Sequence, residues 1–526
     1  MYDILIRGGR VVDGTGGPWF RADVGIVGER IAAIGPLAEA DARVRVDAAD
    51  RIVAPGFIDF HSHSDVTLIA DPRAESAVRQ GITTQLVGNC GFSAAPVPPE
   101  HRTTYQCDGL MFSHAGYTWD WSSMAEYRRR LADAHPAINV LSLVGQNTLR
   151  GAVVGQAERP ATDAEVVAMR RLLERALGDG AIGLSSGLTY SPGCYASTAE
   201  LRSLTNVLAG SGLGYHTHLR NYGSGLAEAM DEALEITDDG RVPLFISHLY
   251  PAGREQWGTA PLVLARLEHA RERGADVCFD ITPWLRGGGP LHQYLPGWAR
   301  SGGIAALLSR MRDPRQREAM QSELEAGVSG LHPEWRDELI VRVGDPRHSD
   351  WVGQSIEELS VVRARSPVET ALDLLTEDAG QVWVAPLSKC ADDVDLLVRH
   401  PLGIPVTDGI TVATDGPLGR PEMEKSFGTF PRVLGYYVRE RGVLSVEQAV
   451  HKLTGEPARR LALWDRGLVR VGMCADVTIF DPTHVTDAGD ERHGGRYPLG
   501  IDHVIVNGQM TLAPDGRTGA SAGRVL

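Results

Sequence analysis

Short apolar runs separated by turn residues occupy the first fifty or so positions. Ile4 and Ile6, Val11-Val12, Val24-Gly25-Ile26-Val27 and Ile31-Ala32-Ala33-Ile34 alternate with glycine-rich punctuation, the pattern of an all-β segment. The chain does the same near its other end, where Val477-Thr478-Ile479-Phe480 and His503-Val504-Ile505-Val506 each precede turn residues. Neither segment is large enough to bury a core alone, so residues 1–54 and 464–526 are expected to combine into one small β-sandwich. Between them, over 55–463, strand-like runs at 82–87, 138–144, 181–185, 213–218, 243–247, 276–280, 382–386 and 410–414 alternate with amphipathic helical stretches. The helices include Asp163 to Leu177, Leu226 to Ile236, Pro261 to Arg273 and Ser445 to Leu453. Such alternation means parallel strands joined by helical crossovers, an α/β architecture. Roughly eight units favour a (β/α)8 TIM-type barrel over an open sheet. After Trp284 the rhythm breaks at Arg286-Gly287-Gly288-Gly289-Pro290, and charged helical sequence follows. Residues 286–345 therefore read as an insertion at a barrel loop, either a lid or a surface excursion.

The ends of the strand-like runs collect unusual chemistry. Pro55-Gly56-Phe57-Ile58-Asp59-Phe60 leads into His61-Ser62-His63. Residues two apart on a strand face the same way, so both imidazoles converge on one point. Gly88-Asn89-Cys90-Gly91, His216-Thr217-His218, Ile246-Ser247-His248 and Thr414-Asp415-Gly416 close other runs. Active sites of such barrels lie at the carboxyl ends of the strands. A mixed set of imidazole, thiol and carboxylate donors suits zinc. Any one member has an ordinary alternative: a buried cysteine packs as a small hydrophobe, and Asp415 before Gly416 has a less favoured reading as a helix N-cap.

Composition narrows the class. With 43% hydrophobic and 23% charged residues in 526, the chain is of ordinary globular make-up. A formal charge of −15 argues against nucleic acid or an anionic membrane as partner and leaves a small molecule. Cys90, Cys107, Cys194, Cys278, Cys390 and Cys474 lie far apart with no C-x-x-C spacing. With no signal-like segment at Met1 and no apolar run of membrane length, free thiols in a cytoplasmic enzyme are expected. Whether the chain forms a homo-oligomer is left open.

The run Pro55 to Asp65, Gly88-Asn89-Cys90-Gly91, Gly183 to Gly193 with Tyr190, Thr217 to Asn221, Ser247-His248, Thr414-Asp415-Gly416 and Gly428 to Gly435 together resemble the amidohydrolase superfamily. Within it they resemble the N-acyl-D-amino-acid deacylase (D-aminoacylase) family. The resemblance spans almost the whole chain. It implies a zinc-dependent hydrolase that releases a carboxylate and a free D-amino acid from an N-acyl-D-amino acid. Many binuclear relatives bridge two metals with a carboxylated lysine after the fourth strand, but here that end reads Ala181-Ile182-Gly183-Leu184-Ser185-Ser186. Cys90 is the available anion in its place. The resemblance implies that Cys90, His218 and His248 hold the tighter zinc. His61, His63 and Asp415 then form a second, optional site, with Asp415 as general base and acid.

Substrate recognition departs from the family pattern. Leu249-Tyr250 stands after His248 where the family has His-Lys, Asp280-Ile281-Thr282-Pro283-Trp284 stands where the family has Asp-X-Tyr-Pro-Tyr, and Met423-Glu424-Lys425 replaces His-Pro-Arg. Tyr190, Tyr250, Arg220 and Arg286 are the candidate substrate contacts. Either arginine could hold a carboxylate; Arg220 could equally form a structural ion pair with a nearby acid. The competing function is hydrolysis of a cyclic amide or specialised N-acyl amine lacking a free carboxylate. A metal-free binding protein is disfavoured because no ligand position is empty.

Overall fold

A computed structural model describes residues 1–526 apart from 38, 103–104, 106–111, 113–115, 238–240, 328–332, 420–421 and 493. The expected free thiol at Cys107 lies outside the described residues; the other five cysteines are free. The two β-rich ends of the chain do pair. Strand Ile52–Pro55 runs antiparallel to Val477–Phe480, and around that seam five N-terminal and four C-terminal strands form one nine-stranded sheet. One face buries Ile4, Ile6, Val24, Ile26, Val53, Val477, Ile479 and Ile505 together, matching the alternation read along those strands.

Parallel strands make up the middle of the chain. Phe57–Asp59, Ile82–Val87 and Asn139–Ser142 pair in order, and Val144–Gly145, Gly183–Gly187, Gly214–His218, Leu244–Ile246, Val277–Ile281 and Gly403–Pro405 pair in order in a second sheet. Only Leu143 separates Asn139–Ser142 from Val144–Gly145, and Ser62 bridges Gly409 in parallel sense. These strands are buried along almost their whole length, as parallel strands covered by helices on their faces must be. The crossovers start where side chains satisfy free N–H groups. Thr162 with Glu165 and Ser445 with Gln448 form reciprocal capping boxes for Asp163–Gly178 and Val446–Leu453.

Two expected strands lie elsewhere. Residues 410–414 form no named strand, and the last parallel strand is Gly403–Pro405. Ile-Thr-Val-Ala-Thr has the β-branched composition that strands favour, whereas Gly403 and Pro405 weaken the strand signal of the segment that pairs. Trp383–Pro386 is a strand, but it pairs antiparallel with Glu338–Arg342 in a separate three-stranded sheet. That sheet belongs to the excursion after Trp284. A second core, including Leu291, Leu307, Met320, Ile340, Leu372 and Val384, carries the excursion past 345 to Val384. The buried apolar residues of helices Ile356–Arg363 and Pro367–Glu377 join this second core.

Candidate metal centre

The loops after four of the parallel strands, Phe57–Asp59, Ile82–Val87, Leu244–Ile246 and Gly403–Pro405, deliver donors to one buried point. His61 follows Phe57–Asp59 and is fully buried. Its Nδ1 meets Asp280 Oδ2 at 3.0 Å, which turns Nε2 toward Cys90 Sγ at 3.4 Å and Asp408 Oδ1 at 3.4 Å. Cys90 sits in a tight turn with φ +51°, a left-handed conformation unusual for a residue with a side chain. Gly91 beside it has φ +79°, and a Cβ there would lie 2.1 Å from Asn147 Oδ1. The turn therefore presses against its neighbours and presents the thiol rather than the backbone. Cys90 Sγ lies 3.5 Å from His248 Nε2. His248 has φ +33°, and its N–H donates to Asp280 Oδ1 at 2.5 Å. Asp280 thus fixes two imidazole-bearing residues at once, the kind of outer support that orients metal ligands.

Ligand atoms of His61, Cys90, His248 and Asp408 all lie within 4.8 Å of one another. The other two predicted imidazoles border this cluster. His63 Nε2 is 3.2 Å from Asp408 Oδ1. The ring of His218, at the end of Gly214–His218, lies 4.5 Å from that of His248, and its Nε2 pairs with Thr189 Oγ1 at 2.8 Å. Among the described residues, neither His63 Nδ1 nor His218 Nδ1 has a hydrogen-bond partner although both are buried, a costly state for a polar atom that a bound group would relieve.

Asp415 is not brought to the cluster. Its side chain is 72% exposed and pairs with Arg73 at 2.9 Å. It precedes a short 3₁₀ turn without capping it through the side chain. The carboxylate at the cluster is Asp408, 17% exposed, five residues after Gly403 on the last parallel strand. Lys425 holds its Oδ2 at 2.8 Å. The correction follows from the strand assignment: with 403–405 rather than 410–414 in the sheet, Asp408 stands at the strand end.

Electrostatics keep most donors ready for a cation. Burial lowers His63 and His248, and lowers His218 to about 3, so these rings are neutral with lone pairs available. Burial opposes ionisation of Asp408, but Lys425 and the surrounding imidazoles outweigh it and hold the carboxyl well below its usual range. Burial also works against charge on His61, yet Asp280 and Cys90 raise it well above 6.5. Burial pushes the Cys90 thiol up; a metal beside it would deprotonate it. Nitrogen, sulfur and oxygen donors in this proportion fit zinc.

The cluster opens into a cavity of about 460 Å³. All four expected substrate contacts line it, but the two arginines are committed to the protein itself. Arg220 grips both Glu232 oxygens at 2.9 and 3.0 Å and donates to the carbonyls of Cys194 and Ala196. Arg286 is bonded to Glu491 and to the carbonyls of Asp337 and Ala385. Tyr190 packs 4.7 Å from the His218 ring. Tyr250 stacks on Tyr222 at 5.6 Å. Sequence reasoning missed Asp280, Asp408 and the lysines Lys389 and Lys425. Asp280 and Lys425 were in view only within the family segments at 280–284 and 423–425.

The family model for the amidohydrolase family matches residues 45–512. The chain belongs to the amidohydrolase family. It is 35% identical to N-acyl-D-glutamate deacylase of Alcaligenes xylosoxydans xylosoxydans, over 100% of this chain and 96% of that protein. Its fold is similar to N-acyl-D-glutamate deacylase from Bordetella bronchiseptica, solved with zinc and a phosphonate that mimics the reaction's tetrahedral intermediate. That match has a TM-score of 0.85 at 32% identity, covering 100% of this chain and 99% of the other. A D-aminoacylase structure with a binuclear metal centre matches with a TM-score of 0.82 at 32% identity, covering 100% of both chains.

Proposed function

We propose that this protein is a zinc-dependent amidohydrolase that cleaves N-acyl-D-amino acids into a carboxylate and a free D-amino acid. The observation that carries the reading is the buried convergence of His61, Cys90, His248 and Asp408 on one point of the cavity. The resemblance to two deacylases over the full chain supports it. Cys90, His218 and His248 would hold one zinc, and His61, His63 and Asp408 a second. Zinc at such a site polarises an acyl carbonyl and acidifies water. The chain's own part is positional and acid–base. Asp408 takes the proton of the attacking water and returns it to the departing nitrogen as the C–N bond breaks. Asp280 keeps His61 and the His248 backbone in register, and Lys425 orients Asp408.

We read the ordered parallel strands as a (β/α)8 barrel, supported by the Ser62–Gly409 bridge, and the nine-stranded terminal sheet as the basis of a small β-sandwich. The domains on this reading are 1–54 with 464–526, and 55–463 with its inserted core. No helix among the described residues is long and apolar enough to cross a membrane. We place the protein in the cytoplasm, a reading supported by the five free cysteines among the described residues.

A second reading, a cyclic amide or N-acyl amine without a carboxylate, gains from the engagement of Arg220 and Arg286 by protein acceptors. Turnover of a panel of N-acetyl-D- and N-acetyl-L-amino acids beside cyclic amides separates the two. The proposal expects D-selective release of free amino acid. Turnover confined to cyclic amides overturns it.

A further inference from the structure

Two lysines that line the cavity are buried, and only one has an acid beside it. Lys425 is neutralised by Asp408. Lys389, 2% exposed, donates to the Thr282 hydroxyl and to the Trp284 carbonyl at 3.1 Å. Among the described residues it makes no ion pair. An ammonium has three donors, so one N–H direction is left for something else. Its Nζ lies 4.5 Å from the centre of the Tyr250 ring, and Tyr250 stacks on Tyr222, whose ring is 5.3 Å from that of His248. Thr282 and Tyr250 each follow by two residues a member of the metal-cluster framework, Asp280 and His248. The ammonium is therefore hung from the same two strand ends that build the cluster, in the same cavity.

A buried cation without a counter-ion is expensive. Burial, with help from the like charge of Lys425, pushes Lys389 down to about 7. An arriving anion would supply the missing partner. The ammonium's neighbours at the cavity wall are a ring, a hydroxyl and a carbonyl, none of which competes with an anion for it. The two arginines expected to serve, Arg220 and Arg286, are held by Glu232 and Glu491.

We propose that Lys389 is the group that receives the α-carboxylate of the substrate, and so sets the requirement for a free acid. The inference rests on the deacylase reading above. A charge-assisted hydrogen bond from a buried ammonium is the strong kind, and Tyr250 shapes the site by holding the ammonium over its ring.

The test compares the zinc-loaded wild type with Lys389→Met and Lys389→Arg. Each is assayed on the best N-acetyl-D-amino acid of the panel and on its α-carboxamide. Lys389→Met should raise KM for the acid by ~10- to 100-fold, the range of one charged hydrogen bond. It should leave kcat within a few-fold and spare the carboxamide, and Lys389→Arg should recover most of the KM. Should Lys389→Met fail to fold, Lys389→Gln, which retains an N–H donor for Thr282 and Trp284, gives the same comparison. An unchanged KM for the acid, or equal losses on acid and amide, overturns the assignment while the deacylase reading stands. A wild type that turns over no N-acyl-D-amino acid overturns both.

Discussion

The cluster and the rest of the cavity lining are built differently. His61, Cys90, His248 and Asp408 come from strand ends separated by up to hundreds of residues, yet their ligand atoms fall within 4.8 Å and the imidazoles and thiol are buried. Three of the four are held from behind: His61 and His248 by Asp280, Asp408 by Lys425. The lining that would read the substrate draws on longer loops and on the inserted core, with Arg286 and Lys389 flanking the sheet that contains Trp383–Pro386. There, most charges are spent on holding loops, as with Arg220 on Glu232 and Arg254 on Asp337. Chemistry is thus fixed by the strands, while selectivity depends on which loop charges are left without a protein partner.

Substitutions on the two sides should therefore fail in different ways. Cys90→Ala is expected to lose zinc and activity together, with kcat/KM falling by more than ~10²-fold, beyond the usual effect of an outer-shell partner. Metal analysis alongside kinetics checks this, and full zinc with full turnover would make Cys90 a packing residue. Asp280→Ala should cost less, about 10- to 100-fold in zinc affinity, because the ligands remain but lose their orientation. Zinc titration against a competing chelator reads the shift; an unchanged affinity would mean that the strands alone place the imidazoles. Arg220→Met should produce the smallest catalytic effect. Its loss leaves Glu232 without its cation, with the Thr198 hydroxyl still donating to it, so the melting temperature should drop by a few degrees while KM moves less than about twofold. A tenfold rise in KM for the acid alone would return Arg220 to the substrate.

The contrast also governs what the sequence could reveal. Imidazoles two apart after an apolar run, and single donors at other run ends, follow from strand periodicity, so His61, His63, Cys90, His218 and His248 were legible. The helices Asp163–Gly178 and Leu226–Ile236 were legible for the corresponding helical reason, the second to the residue. Asp408 was hidden because Gly403-Ile404-Pro405 looks unlike a strand, while a second Asp-Gly pair, Asp415-Gly416, follows a more β-like run. Pairing with a neighbouring strand decided the matter, and local propensity does not report pairing. Lys389 was illegible for a longer-range reason. Its ammonium meets Thr282 and Tyr250, more than one hundred residues earlier, and nothing in the spacing announces that contact. Arg220 stood near a ligand in sequence, yet Glu232, one helix later, had already claimed it.

Paired substitutions, read by kinetics and zinc content, measure directly which aspartate works at the centre. Asp408→Asn keeps the size of the side chain but removes the base, and kcat should fall by at least ~10²-fold. Asp415→Asn breaks only an exposed ion pair with Arg73, a contact of little energetic weight, and should leave kcat within about twofold. The reverse pattern, a collapse in Asp415→Asn with near-normal turnover in Asp408→Asn, would contradict the assignment of the centre.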